Sequence, residues 1–410
     1  MYYFYWLPIG TDAKVRGIPW VTVSLVVANV VVFAALHTVS GAEALAYRLA
    51  FKPGAPTIPT AIASLFIHPG PLQLVENLLF LVVFGPPLES RLGPVRFGIA
   101  FVGCGWLAHL AQAAWIMKVM PGMASIPILG ASGAISGLMG LFLVRLYFAR
   151  LRFASISQIL LHGTVKTGRF TLPALAGIGF WFALQILQHR GDATPEMAIV
   201  SHLSGLLAGI LFGWGLGLAG EGMVESRLAL GGRHAARAEW FAALNEYEAY
   251  LAKVPDDAEV IAQVGRIQRV THQEALAANS FCAAIHLWLE RGANGQACDA
   301  YEEMKRLLGA VTLPAEDLLR VARACEELGR PGNASRAYEA FGRHYPDREG
   351  AAVAMLKSAE IEQRTLNNPG RAKYLYDELL LRRLTPDIER VVREHVVRTE
   401  AEIARADSTA

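Results

Sequence analysis

Six apolar runs fill the first half of this chain and leave it little choice of solvent. They lie at about 18–37, 71–84, 97–117, 130–147, 171–187 and 198–218, joined by short polar links. Roughly 20 apolar residues cross a bilayer as a helix. In lipid, backbone polar groups must be satisfied within the segment, so helices are the expected form. The second and fifth runs are short, and the second contains Gln73, Glu76 and Asn77, so neighbours must shield it or it must line a cavity.

The whole-chain figure of 53% hydrophobic residues hides a break in composition. From about residue 221 the chain is charged and rich in Ala, Leu, Glu and Arg. The expectation is two domains, 1–220 and 221–410, of all-α class. A net charge of +2 gives no reason to expect a nucleic-acid partner. The four cysteines show no CxxC spacing, so neither a zinc site nor a disulfide framework is implied. The first run follows Lys14 and Arg16 and lacks a small-residue cleavage site, so it reads as a retained span.

Basic residues set the expected orientation. Lys14, Arg16, Arg91, Arg96, Arg145, Arg150, Arg152, Lys166 and Arg169 mark one side. Arg48, Lys52, Lys118 and Arg190 are the fewer on the other. That places both termini in the cytoplasm, and runs two, four and six all pass inward. Ser132, in the first turn of run four, and His202, one turn into run six, then share a depth in the outer half of the membrane.

An ionisable residue inside a span is costly, and a functional role is its first hypothesis. Gly205, Gly209, Gly213 and Gly217 recur every four residues in run six, and Gly133 and Gly137 do so in run four. Small residues at this spacing let helices approach closely in lipid. His202 lies on the glycine face, within prospective reach of Ser132, as a base must lie near its nucleophile. Unpaired N–H groups at the start of run four suit an oxyanion. Gln73 and Asn77, four apart on one face, offer amide donors to the same charge. A bland reading stands beside each of these. Serine is a common packing residue in Gly/Ala-rich helices, Asn77 can join helices, and His68 before Pro69 suits a structural hydrogen bond. Glu76 reads as a packing or cavity residue.

The stretch Gly130–Gly133 (GASG), the run SHLSGLLAG from Ser201 and the segment HPGPLQLVENLLFLVVFGPPLESRLG from His68 resemble rhomboid intramembrane serine proteases, in the right order and spacing over about residues 8–218. The resemblance implies a six-helix bundle in which Ser132 is the nucleophile and His202 the general base. It further implies that Asn77 and the Ser132 N–H donate to the oxyanion, and that His68 is structural. Two positions depart from the family pattern. Gln73 stands where a second histidine is usual, and Ser136 stands where an aromatic often packs on the catalytic histidine. Substrates would be single-span membrane proteins cut near the outer face, without metal or organic cofactor. The competing expectation is a rhomboid-like pseudoprotease that binds membrane clients as a scaffold.

Beyond residue 221 the pattern is of paired amphipathic helices. Segments 242–257, 296–309, 334–347 and 370–387 repeat a theme of alanine followed by aromatic or leucine. The 35-residue interval from Ala337 to Ala372 resembles the tetratricopeptide period of 34. A soluble α-solenoid of this type would offer a groove to a cytoplasmic protein partner; stabilisation or self-association is the alternative.

Overall fold

The computed structural model describes residues 2–159, 164–188, 195–309 and 311–407, which divide into two compact units, 1–229 and 230–410. The division falls inside a helix, beyond the composition break at 220.

In the first unit, strand β1 (Tyr2–Thr11) precedes helices α1 (Trp20–Thr38), α2 (Ala42–Leu49), α3 (Ile58–Ala63), α4 (Pro71–Leu92), α5 (Pro94–Val119) and α6 (Ser132–Arg145). Strands β2 (Arg150–Ile159) and β3 (Thr164–Pro173) follow, then α7 (Ala174–Gln188), α8 (Pro195–Gly215) and α9 (Leu218–Ala236). Helices α1, α4, α5 and α8 are long and apolar enough to cross a membrane, and α6 and α7 are shorter apolar helices. The protein is an integral membrane protein, and helices dominate it as expected. Arg190, counted in the orientation argument, lies outside the described residues.

Two features differ from the sequence reading. Helix α4 continues through Pro86 and Pro87 to Leu92 instead of ending near Phe84. Positive φ at Gly93 then turns the chain into Pro94, the first residue of α5. The second difference is a three-stranded antiparallel sheet, in the order β1-β2-β3. Residues 171–173, read as the start of run five, are its last rungs. Its strands come from segments some 140 residues apart, a pairing that local periodicity does not encode.

Glu89 closes the bundle at one end. The carboxylate is buried and accepts the N–H groups of Val21 and Thr22, each at 2.8 Å, and the Thr22 hydroxyl at 2.7 Å. Helix α1 has no side-chain cap of its own, so α4 supplies one to its electropositive end. At the same end Glu225 of α9 meets Arg91 of α4 and Arg145 of α6, the latter at 2.9 Å. Burial pushes the Glu225 carboxyl up, but the hydrogen bonds and charges of Arg91 and Arg145 outweigh it and hold the group below the usual carboxylate range.

The second unit holds α10 (Trp240–Leu251), α11 (Ala258–Val270), α12 (Glu274–Glu290), α13 (Asn294–Leu308), α14 (Ala315–Glu327), α15 (Pro331–His344), α16 (Ala351–Arg364), α17 (Pro369–Leu380) and α18 (Pro386–Asp407). The repeat becomes exact at the buried Ala297, Ala334 and Ala372, each followed four residues on by a buried Tyr301, Tyr338 or Tyr376. These intervals are 37 and 38 residues, so Ala334, not Ala337, is the counterpart of Ala372. Ion pairs join each helix to its counterpart one repeat away: Glu302–Arg336 at 2.9 Å, Glu339–Arg371 at 2.6 Å and Glu326–Lys357 at 2.9 Å. The unit is a tetratricopeptide-like array of helix pairs.

Candidate active site

Glycine determines how α6 meets α8. A methyl group on Gly205 would overlap the Gly133 carbonyl oxygen, and one on Gly209 would overlap that of Gly137. On Gly140 it would strike the Leu206 carbonyl. The two backbones therefore touch along three helical turns, a distance that any side chain would forbid. Gly133 also borders the Ser201 hydroxyl, 3.1 Å from where a Cβ would stand. Ser132 precedes Gly133, and His202 follows Ser201. Each of the two therefore adjoins a residue of this close approach.

Ser132 is the first residue of α6 and half-buried; His202 is buried. Helix α6 begins after Gly130, whose φ of +100° lies where side chains are rarely tolerated. A Cβ at Gly130 would stand 3.0 Å from the Gln73 amide nitrogen and 3.7 Å from that of Asn77. Both α4 amides thus border the turn that delivers Ser132. The Asn77 amide donates to His68 Nε2 at 2.8 Å, which requires the His68 proton on Nδ1. Burial lowers the His68 pKa against the opposing pull of the Phe66 backbone, in keeping with a neutral ring.

The sequence-selected residues thus form two contiguous groups, Gln73–Asn77–His68–Gly130 and Gly133–Ser201–Gly205, with Ser132 between them along the chain. Glu76 belongs to neither. It lies on the exposed side of α4, while Asn77 faces inward, as expected of residues 100° apart on a helix.

Ser136 does not hydrogen-bond His202. Its hydroxyl is buried with no partner among the described residues. An aromatic still reaches the histidine, from a different helix: Trp181 of α7 lies 5.4 Å from the His202 ring and 5.2 Å from that of Phe80. Spacing within run four held no sign of this substitution across helices.

His109 of α5 was also passed over. Its Nδ1 lies 3.2 Å from both the Ser64 hydroxyl and the Ala61 carbonyl, and the ring reaches the Gly130 backbone. Ser64 in turn accepts the Gly130 N–H on its carbonyl, at 2.9 Å. His109 and Ser64 therefore brace the turn before Ser132. The signal was present: His109 is an ionisable residue inside a span, the criterion that singled out His202. Next to His68, a cavity of about 590 Å³ opens among His37, Glu43, Tyr47, Pro69 and Leu129. Among the described residues no cluster suits a metal ion.

The chain is similar in sequence to known proteins. Residues 57–219 match the Rhomboid domain. RHOMBOID-like protein 6, mitochondrial, of Arabidopsis thaliana is 29% identical over 153 residues, 37% of this chain and 42% of that protein. Rhomboid protein 1, mitochondrial, of Saccharomyces cerevisiae is 28% identical over 177 residues, 42% and 46% of the two chains. The putative rhomboid protease YdcA of Bacillus subtilis is 31% identical over 87 residues, 21% and 41% of the two. The chain spans less than half the length of these relatives. Among solved structures, the P58(IPK) TPR domain is similar at 12% identity and a TM-score of 0.20, over 82% of this chain and 98% of that one. Residues 57–219 of this chain form a rhomboid domain.

Proposed function

We propose that this protein is an intramembrane serine endopeptidase acting on single-span membrane proteins. Ser132 is the nucleophile. His202 takes its proton as Oγ attacks the scissile carbonyl, then delivers that proton to the leaving amine. Water, deprotonated by the same imidazole, releases the acyl group and restores Ser132. The oxyanion is held by the Ser132 N–H, Asn77 and Gln73. For Asn77 this means keeping its amide aimed by His68 while a second N–H meets the substrate. His68, Gly130, Gly133, Gly205 and Gly209 shape the site without joining the chemistry. The observation that supports this reading is the close approach of Gly133 to Gly205 and to the Ser201 hydroxyl, since Ser132 and His202 are the chain neighbours of Gly133 and Ser201.

The termini are cytoplasmic in this reading, and the cut falls near the outer membrane face. A bacterial inner membrane, which the compact six-span layout led one to expect, is not supported by the relatives, two of them mitochondrial by name. The helical array of residues 230–410 binds a cytoplasmic protein segment.

One observation favours a second reading, a client-binding pseudoprotease: the Gln73 carbonyl oxygen is buried without a partner among the described residues, as if a usual neighbour were missing. Labelling with a fluorophosphonate and cleavage of a model single-span substrate separate the two. The protease reading expects both activities in the wild type and neither in Ser132→Ala, with cleavage also lost in His202→Ala. A folded wild type that neither labels nor cleaves supports the scaffold.

A further inference from the structure

The three-stranded sheet takes no part in the proposed chemistry, and its two faces differ in kind. Four residues separate α6 from strand β2, and β3 runs directly into α7, with the Ala174 N–H donating to the Ala149 carbonyl at 3.0 Å. The base of the sheet therefore lies where two apolar helices end, at the edge of the hydrocarbon. One face turns Leu151, Phe153, Phe170 and Trp6 toward the bundle. Trp6 packs 4.9 Å from Phe170 and 4.6 Å from Phe180 of α7.

The register puts Arg150, Arg152 and Arg169 on the opposite face. Arg152 pairs with Thr171 and Arg169 with Ala154, so these two arginines are diagonal neighbours, about 7–8 Å apart at the backbone. Both are exposed, and among the described residues neither has a carboxylate partner. The nearby acid, Asp12, accepts the Arg150 backbone N–H at 2.7 Å. Like charges fixed at this spacing repel, and a bound anion relieves them. Arg152, level with Thr171, and Arg169 stand three and five residues before the first residue of α7. At about 3.4 Å per residue, that is at most about 10 and 17 Å along the strand, less across a tilted sheet, which carries the pair from the hydrocarbon edge into the headgroup layer and its water face. Exposed Trp6, Leu7 and Ile9 complete the pattern of apolar and aromatic groups beside basic ones at an interface.

We propose that this sheet face binds the phosphodiester headgroup of an anionic phospholipid of the surrounding bilayer. The Arg152 and Arg169 guanidinium groups donate to the phosphate oxygens. The binding orients the hairpin on the membrane surface and needs no proteolytic activity.

The test is native mass spectrometry of the full chain released from micelles holding equal phosphatidylcholine and phosphatidylglycerol. The wild type should retain phosphatidylglycerol preferentially. Replacing both arginines should weaken that retention about 30-fold, from roughly 1 kcal/mol per arginine at a membrane surface. The comparison is Arg152→Gln with Arg169→Gln against Arg96→Gln, an exposed arginine on α5. Retention unchanged in the double variant, or lost equally in Arg96→Gln, overturns the proposal. Displacement of the lipid by millimolar inorganic phosphate also overturns it, since a simple anion site would suffice. Arg152→Lys with Arg169→Lys guards against misfolding: it must unfold at the wild-type temperature and retain more lipid than the glutamine pair.

Discussion

Helix α6 meets α8 through glycines, whereas α13, α15 and α17 pack into their array through large buried rings. In the membrane unit the contact is Gly133 on Gly205 and Gly137 on Gly209, backbone against backbone. In the helical array the large buried groups are Tyr301, Tyr338 and Tyr376, each four residues after a buried alanine of its own helix. The difference follows from the solvent. Burying a tyrosine ring removes apolar area from water and stabilises a soluble array. Lipid offers no such gain, so helices associate through close packing, which small residues permit. In the proposed mechanism the glycine contact also serves the site, because Ser132 and His202 can meet only if the two helix backbones are near.

The largest effect on cleavage should come from breaking the glycine contact. Gly209→Val forces a branched side chain into the Gly137 carbonyl, and overpacking of this kind costs about 1–3 kcal/mol or more. The expected result is loss of substrate cleavage together with a lower unfolding transition for the membrane unit. Circular dichroism of the isolated transition for residues 230–410 should not move. A variant that cleaves normally would show that backbone contact is not what assembles the site.

The converse substitution is Tyr338→Ala, which empties a buried ring position next to Ala334. Deleting a large buried aromatic costs about 3–5 kcal/mol, here confined to the array. Thermal unfolding should show the array transition fall and the membrane transition hold. Cleavage of a substrate that engages only the membrane unit should stay within a factor of about two, less than 0.5 kcal/mol.

Much of this contrast was legible in the sequence, because period and composition carry it. Glycine every four residues from Gly205 pointed to the α6–α8 contact, and apolar runs located the six helices to within a few residues, except that α4 runs eight residues beyond Phe84. The helical array was legible as paired helices, but its phase was not. Ala334 and Ala337 are both buried on one helix face, and only packing shows which one repeats. What stayed hidden depends on contacts between distant segments. Trp181 replaces a missing aromatic at position 136 from a separate helix, and Glu89 caps a helix about 70 residues away. The β1–β2 pairing joins the ends of a 150-residue stretch. A pattern read along one helix has no access to such partners.

Glu89 gives a prediction of intermediate size. Glu89→Ala leaves the buried Thr22 hydroxyl and two N–H groups without acceptors. About 1–3 kcal/mol is expected for a buried polar group so stranded. Glu89→Gln keeps one acceptor oxygen and should fall between. The membrane transition should follow that order.

A pH series acts on the same end of the bundle. The Glu225 carboxyl is held below its ordinary 4.5 by Arg91 and Arg145. Its contribution is therefore complete at neutral pH, above the unfolded value, and is lost as pH falls through the lower folded value. His68 acts in the same direction. Its folded pKa lies below the ordinary 6.5, so below that pH the unfolded chain takes up a proton the folded chain refuses, and stability falls. The membrane transition should weaken in two stages on acidification, the first near pH 6 and smaller in His68→Gln. A single acid stage in the wild type would remove His68 from this account.

The smallest effect belongs to the array's ion pairs. Glu302–Arg336 joins α13 to α15 across one repeat, but the arginine is largely exposed, at 61% of its side chain. Exposed pairs contribute about 0–1 kcal/mol because solvent screens them and ordering two long side chains costs entropy. Arg336→Ala should therefore lower the array's Tm by no more than about 2–4 °C, and 0.5 M salt should shrink even that difference. A larger fall would mean that the ion pairs, and not the buried Tyr301 and Tyr338, hold successive repeats together. The array would then resemble the membrane unit in depending on a few specific contacts, not on buried area.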